Sequence, residues 1–153
     1  MNHLCDYGRD SNRMKLAIWD LAPHLVGEVY DKAFDFSDKG LKIVLEDLHE
    51  NKAVITYDSE QILGFRYAEE TSRNDLVPLV NQAYELARFH KGNTGCFYKA
   101  IHSEYNAWLA AMSGNENKLL QAEHHIFFTM DSVFEVLSDK EPHCLKINRE
   151  RSE

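Results

Sequence analysis

The spacing of apolar residues near the start of the chain predicts helices. Residues 14–21 place apolar side chains at helical intervals, and Ser11 or Asn12 is a suitable N-cap. Pro23 interrupts the hydrogen-bond ladder, so it kinks this helix or starts a second one. Residues 25–34 then repeat apolar pairs every four positions, which is typical of a helix with one wide buried face.

Three predicted strands follow, at residues 41–47, 52–58 and 62–69. The first alternates apolar and polar positions, and the connections are short enough for hairpins. The third strand is apolar on both faces apart from Arg66, which favours a central place in a sheet. Gly64 within it indicates a bulge or the close approach of another element.

A helix is predicted next, capped by Asn74 or Asp75 and carrying Pro78 in its first turn. The glycines of residues 90–95 end it. Its expected buried stripe consists of Val77, Val80, Tyr84 and Ala87.

The stretch from residue 96 to 142 predicts a strand, a helix and a hairpin. Residues 96–101 form an apolar run of strand length, and Ser103 is placed to cap the helix that follows. Residues 125–129 and 133–137 are short apolar runs separated by a polar turn. The expected buried face of the helix consists of Tyr105, Trp108, Leu109 and Met112.

The order of these elements predicts an α+β fold: a mostly antiparallel sheet of about six strands with three to four helices packed on it. No repeat or linker divides the chain, so residues 1–153 are expected to form one domain. Residues 1–10 and 143–153 are polar and are expected to be loose termini.

Acidic residues outnumber basic ones by 25 to 17, which gives the 153-residue chain a net charge of −8 at pH 7. A negative surface repels phosphates, so direct binding to DNA or RNA is disfavoured. The same charge suits a basic protein partner, or serves solubility alone.

Targeting and redox features predict a cytoplasmic protein. The N-terminus has no apolar signal region, and no apolar run approaches the length of a membrane helix. The three cysteines show no paired spacing, as expected of free thiols in a reducing compartment.

Candidate chemistry is sparse, and no motif for catalysis, a metal or a cofactor occurs. His124 and His125 adjoin Glu123, but adjacent strand residues point to opposite faces and cannot chelate one ion together. Cys96 opens an apolar strand, where a thiol behaves as a small hydrophobe rather than a nucleophile. Ser103 is explained by helix capping.

The acidic residues are most concentrated between positions 44 and 75, where eight acids face three bases. Many lie at strand ends or in turns, so they are expected to gather at one edge of the sheet. A solvated rim explains them, and so does a landing site for a basic protein. The candidate partner-binding residues are Glu46, Asp47, Glu50, Asp58, Glu60, Glu69, Glu70 and Asp75.

Four segments and a Glu-Pro pair at 141–142 carry a family resemblance. The segments are KLAIWDLAPHLVGEVY (15–30), ILGFRYAEET (62–71), HSEYNAWL (102–109) and HHIFFTMDSVFEVLS (124–138). Together they resemble small bacterial proteins encoded beside polymorphic toxins, the immunity proteins of contact-dependent growth inhibition and related systems. The match spans most of residues 14–142.

This resemblance implies a cytoplasmic binding protein that neutralises a cognate toxin domain and has no catalysis or cofactor of its own. The toxin is expected to be a nuclease, specifically an RNase of the EndoU-like kind. Nuclease domains are generally basic because they hold phosphates, so an acidic inhibitor can occlude the same surface.

Two other classes of function stay open. The first is a small enzyme, which would require a pocket that gathers His102, Glu104 and His124. The second is an interaction module or homodimeric scaffold that associates through an exposed sheet edge.

Overall fold

The computed structural model describes residues 13–86, 95–114 and 116–149. Nine strands and three α-helices lie in these ranges. The strands are β1 (Lys15–Ile18), β2 (Val29–Ser37), β3 (Gly40–Asp47), β4 (Lys52–Asp58), β5 (Ile62–Glu69), β6 (Phe97–Ile101), β7 (Glu123–Phe128), β8 (Ser132–Ser138) and β9 (His143–Ile147). The helices are α1 (Val77–Leu86), α2 (Glu104–Met112) and α3 (Glu116–Gln121), and short 3-10 turns cover Ser59–Gln61, Glu70–Ser72 and Asn74–Leu76.

The strands form two antiparallel sheets. Sheet A has five strands in the order β1-β6-β7-β8-β5, and sheet B has four in the order β2-β3-β4-β9. The α+β class is confirmed, whereas the expected single sheet of about six strands is wrong. A single sheet cannot enclose a core by itself, so each sheet buries its apolar face against the other.

Three layers result from this packing. The largest apolar cluster lies between the sheets, where Ile43 and Ile55 of sheet B meet Phe127 and Phe134 of sheet A. The other face of sheet A carries two smaller clusters, one under α1 and one under α2 and α3. Strand β8 is therefore covered on both faces, and each of its residues is buried.

Most of the predicted strands and helices are confirmed. Strands β3, β4 and β5 match their predicted ranges, and the Ser103 side chain accepts a hydrogen bond from the Asn106 N–H at the start of α2. Gly64 lies at a register shift, and a Cβ there would meet the Tyr105 hydroxyl at 2.9 Å. The predicted central position of β5 is wrong, because it forms an edge of sheet A.

The N-terminal helices are not formed. Residues 15–18 are strand β1, and residues 29–37 are strand β2. Gly27 adopts φ +72°, a conformation that interrupts any helix through residues 25–34 and that glycine adopts without strain. Phe34 and Phe36 of β2 stack on Tyr67 and Phe65 of β5, so side chains from the other sheet decide the conformation of this segment.

The C-terminal segment is the second correction. Residues 143–147 were expected to be loose, but they form β9 and pair with β4 at the edge of sheet B. Only Cys144 packs against the core from this strand, and Leu145 and Ile147 are exposed. One inward residue in five produces too weak an apolar pattern to indicate a strand.

Two predicted helix faces are only partly buried. In α2, Tyr105 is buried, but Trp108 and Met112 are 57% and 61% exposed. In α1, Val80 packs against the core, whereas Val77 and Tyr84 are exposed. Ala87 and residues 90–94 lie outside the described residues. None of the described helices is long and apolar enough to cross a membrane.

Candidate functional site

Three parts of the chain meet at the turn between β7 and β8. The Met130 N–H donates to the Val29 carbonyl oxygen at 2.9 Å, and the Glu70 N–H donates to the Asp131 carbonyl oxygen at 3.0 Å. The start of β2 and the end of β5 are therefore both tied to this turn.

Hydroxyl groups fix the turn and hold one carboxylate against it. The Thr129 hydroxyl accepts hydrogen bonds from the N–H groups of Asp131 and Ser132, as such side chains commonly do in turns. It donates to Asp31 Oδ1 at 2.6 Å, and the Ser132 hydroxyl donates to Asp31 Oδ2 at 3.3 Å. Asp31 is consequently held at this turn although it lies about a hundred residues earlier in the chain.

Two grooves flank the turn. The first, here called the apolar groove, has a volume of about 480 Å³ and lies between the turn and α1; its lining includes Val77, Val80, Phe128, Met130, Glu28 and Glu70. The second, the acidic groove, has a volume of about 400 Å³ and is lined in part by Asp31, Tyr67, Glu69, Glu70, Met130 and Asp131. The grooves share Glu70 and Met130, so they form one continuous surface.

The carboxylates around these grooves lack cationic partners within the described part of the chain. No described Lys or Arg lines either groove, and none of the five acids forms an ion pair with a described residue. Glu28 accepts a hydrogen bond from the Tyr30 hydroxyl, which raises the pKa of Tyr30. Clefts lined by one sign of charge concentrate the electric field, so this surface attracts cations. The five acids are Glu28, Asp31, Glu69, Glu70 and Asp131.

The eight acids singled out in the sequence do not form one cluster. Glu69 and Glu70 line the grooves. Asp47 pairs with Val29 in the β2–β3 register, so the β3–β4 hairpin with Glu46 and Glu50 lies toward the same end of the molecule. Glu46 is 3.9 Å from Lys32, and Glu50 is 3.3 Å from Arg149, so both have cationic neighbours.

Asp58 and Glu60 lie at the opposite end. Asp58 pairs with Gly40 at the far end of the β3–β4 ladder, and Glu60 follows in the 3-10 turn. A ladder of this length spans about 20 Å at 3.4 Å per residue. These two acids are exposed but remote from the grooves.

Asp47 and Asp75 already accept hydrogen bonds from other groups of this chain. Asp47 accepts hydrogen bonds from the N–H groups of Val26, His49 and Asn51. Burial opposes its ionisation, but these bonds and one from the Asn51 side chain outweigh burial and lower its pKa. Asp75 receives two hydrogen bonds from the Arg73 guanidinium, which lower its pKa.

Glu28, Asp31 and Asp131 belong to the surface but were not singled out in the sequence. Glu28 and Asp31 fell within or beside a predicted helix, and Asp131 fell in a turn. No sequence signal joins them, because β2 meets the β7–β8 turn only when the two sheets pack together.

A buried charged network lies on the helix side of sheet A. Glu135 of β8 accepts two hydrogen bonds from Arg66, at 2.7 and 3.0 Å, one from Arg73, and one from His124 Nε2 at 2.7 Å. Burial opposes its ionisation, but these donors outweigh burial and hold the pKa of Glu135 well below its usual range. The Arg66 guanidinium also lies 3.9 Å from the centre of the Tyr105 ring.

This network contains a Ser–His–Glu chain, but its geometry serves the fold. His124 Nδ1 lies 2.7 Å from Ser103 Oγ, and that oxygen is already occupied in capping α2. His124 is 1% exposed and lines none of the described grooves. His102 is exposed and Glu104 lines a separate cleft beside Trp108, so the residues required for an enzyme are not gathered in one pocket.

The remaining histidine and cysteine candidates are also part of the core. His125 faces sheet B, with Nδ1 at 2.7 Å from the Tyr57 hydroxyl, so the prediction that His124 and His125 point to opposite faces is confirmed. Both histidines are buried. Cys96 is 1% exposed, and burial raises its thiol pKa far above the ordinary value, as expected for a small hydrophobe. The described residues contain no group of three His, Cys, Asp or Glu able to hold a metal.

Comparison with known proteins identifies no relative of this chain. No protein-family model matches the chain, and no curated protein or solved structure matches it significantly.

Proposed function

We propose that this protein binds the basic surface of a bacterial toxin domain and neutralises it, as an immunity protein does. The observation that supports this proposal most is the continuous surface of five carboxylates without ion-pair partners among the described residues. By contrast, the buried acids Glu135 and Asp47 are matched to donors of this chain. Acids without a cationic neighbour among the described residues, beside exposed apolar side chains, suit a partner that supplies the cations.

The partner class follows from charge complementarity and from the sequence resemblance. A nuclease must hold phosphates, so its substrate cleft is basic. We propose a nuclease toxin, specifically an RNase of the EndoU-like kind, as the partner. Binding in the cytoplasm of the producing cell would protect that cell's own RNA.

The proposed mechanism is occlusion without catalysis by this chain. Glu69, Glu70 and Asp131 would steer a basic cleft at long range and then accept hydrogen bonds from its Lys and Arg side chains. Once these carboxylates occupy the cleft, phosphates cannot enter it.

If this is an immunity protein, its gene lies beside that of a toxin domain, and co-expression with that domain tests the proposal. Wild-type protein is expected to restore growth and to co-purify with the toxin domain. The Glu69→Lys/Glu70→Lys variant is expected to bind at least about tenfold more weakly by calorimetry, which corresponds to 1.4 kcal/mol. The association rate of the wild type should fall as the salt concentration rises, whereas that of the variant should not.

Asp58→Lys/Glu60→Lys is the matched control, because it makes the same charge change at the opposite end of the sandwich. It is expected to retain growth rescue and affinity. Failure of the wild type to rescue growth or to bind would overturn the proposed function. Equal loss in both double variants would show that net charge alone, and not this surface, governs binding.

Self-association is a second candidate that one observation favours. The edge strand β9 exposes Leu145 and Ile147, at 51% and 40%, beside unpaired backbone groups. Light scattering of the purified protein decides this candidate: a dimer that Leu145→Lys dissociates supports it, and a monomer at high concentration rejects it.

A further inference from the structure

The apolar groove has the size and lining of a binding site, not of a packing defect. Its volume of about 480 Å³ falls within the range of ligand pockets. Val77 and Met130, both 45% exposed, form its sides, and Val80 and Phe128 lie among its partly buried lining. Exposed apolar side chains that line a concave surface commonly mark an interaction site.

The charges at this groove specify what can enter. Glu28 and Glu70 contribute the carboxylates, and Asn81 of α1 adds an amide. No cationic side chain of the described residues lines it. Lys and Arg have apolar stems and charged ends, so they match a site with apolar walls and carboxylates.

The neighbouring groove extends the site along one direction. Glu70 and Met130 belong to both grooves, so a ligand that leaves the apolar groove next meets Glu69, Asp31 and Asp131. A segment with apolar side chains at one position and basic side chains at the next would satisfy both grooves. A uniformly basic segment would leave the apolar walls in contact with a polar ligand.

We propose that the apolar groove is the anchoring site for an amphipathic basic segment of the partner protein. An apolar side chain and the stem of a Lys or Arg enter between α1 and the β7–β8 turn, and the cation lies beside Glu28 and Glu70. This inference rests on the proposed function, because it assigns the partner's anchor to one part of the acidic surface. It adds a specificity element that charge alone does not supply.

Val77→Arg tests this site with little risk to the fold. Residue 77 is exposed at the start of α1, so the arginine would place a cation beside Glu28 and Glu70, where it competes with the partner's cation. Leu86→Arg is the matched control, because it makes the same change at the end of the same helix, where the side chain is 74% exposed and lines no described groove. Calorimetry should show at least about tenfold weaker toxin binding for Val77→Arg and less than about twofold change for Leu86→Arg.

A peptide titration tests the groove without the toxin. The probes are an acetylated peptide of alternating Leu and Lys blocks and an all-Lys peptide of the same charge. NMR spectra are expected to show shifts of the Val77 and Val80 methyl groups and of the Asn81 side-chain amide with the Leu/Lys peptide only. Val77→Arg should abolish the shifts of the Val80 methyl groups and of the Asn81 amide, and Leu86→Arg should keep them.

The outcomes separate this inference from the proposed function. If the wild type rescues growth but Val77→Arg binds toxin normally, the anchor is overturned and the immunity proposal stands. If the wild type fails to rescue, the immunity proposal falls, and the peptide titration alone decides the groove. Equal binding of both peptides would overturn the anchor in favour of charge attraction alone. A dimer that Val77→Arg converts to monomer would overturn it in favour of a second copy of this chain.

Discussion

Glu135 and Glu70 belong to the same sheet region but have opposite environments. Glu135 is 0% exposed and accepts hydrogen bonds from Arg66, Arg73 and His124. Glu70 is partly exposed between two grooves and has no cationic partner among the described residues. The difference separates acids that stabilise the fold from acids that are free to meet a partner.

This contrast explains why net charge alone is a poor guide to a binding surface. Asp47 and Asp75 contribute to the formal charge of −8 but are already engaged by internal donors. The useful quantity is the number of carboxylates on one surface that have no cationic neighbour among the described residues. By this measure the surface of the two grooves outranks the β3–β4 hairpin.

Removal of the buried carboxylate is expected to have the largest effect. Glu135→Ala would leave two guanidinium groups without their buried partner, and loss of one member of such a group costs about 3–5 kcal/mol. Urea unfolding measures this loss as a lower midpoint. Glu60→Ala is the exposed control and is expected to change the free energy of unfolding by less than about 0.5 kcal/mol. A loss of less than about 1 kcal/mol in Glu135→Ala would contradict the structural role given to this network.

The pH dependence of stability is expected to show that the buried Glu135 carboxylate stabilises the fold. The folded pKa of Glu135 lies well below its ordinary value of 4.5, so its ionised form stabilises the native state above that pH. The contribution is lost as pH falls through the folded pKa. The free energy of unfolding is therefore expected to fall as pH drops below about 4.5, and that of Glu135→Gln should fall less steeply. Parallel slopes for the two proteins would assign the acid sensitivity to other carboxyls.

Asp47 is expected to give an intermediate effect. Its carboxylate accepts from three backbone N–H groups that Ala cannot satisfy. Hydrogen bonds to a charged group contribute about 1.5–3 kcal/mol, so Asp47→Ala should destabilise the protein by about that amount in urea unfolding. Glu50→Ala, in the same hairpin but exposed, provides the comparison and should be nearly neutral. Equal stability of the two variants would remove the distinction between buried acids with several donors and exposed acids.

The groove acids are expected to have the smallest effect on stability. Glu69→Gln/Glu70→Gln should change the free energy of unfolding by less than about 0.5 kcal/mol, because neither carboxylate has an ion-pair partner to lose within the described residues. The same variant should weaken toxin binding in calorimetry. A large loss of stability would show that these acids hold the fold and would place the partner surface elsewhere.

Much of the structure between residues 41 and 138 was predictable from residue patterns. The strands at residues 41–47, 52–58 and 62–69 follow from alternation and short turns. Helix α2 follows from its Ser103 cap. The glycine at position 64 indicated the close approach of another element, and the structure places the Tyr105 hydroxyl there. These features depend on neighbours in the chain or on a single backbone requirement.

Residues 25–34 show why local pattern was insufficient elsewhere. Their apolar pairs fit a helix, but Phe34 finds its partners Tyr67 and Phe134 across the gap between the sheets. Strand β9 likewise exists because β4 offers a free edge, although its own sequence buries little. Contacts between residues far apart in the chain outweigh propensity in both segments.

The sequence by itself determined the α+β class, most of the strands, the cap of α2 and the excess of negative charge. Only the tertiary structure decided which acids share one surface without a cationic neighbour among the described residues. Asp31 reaches Thr129 and Ser132 across about a hundred residues, and Glu28 and Glu70 join one groove from segments far apart in the chain. The physical reason is that a carboxylate's role depends on the donors around it, and packing of the two sheets assembles those donors.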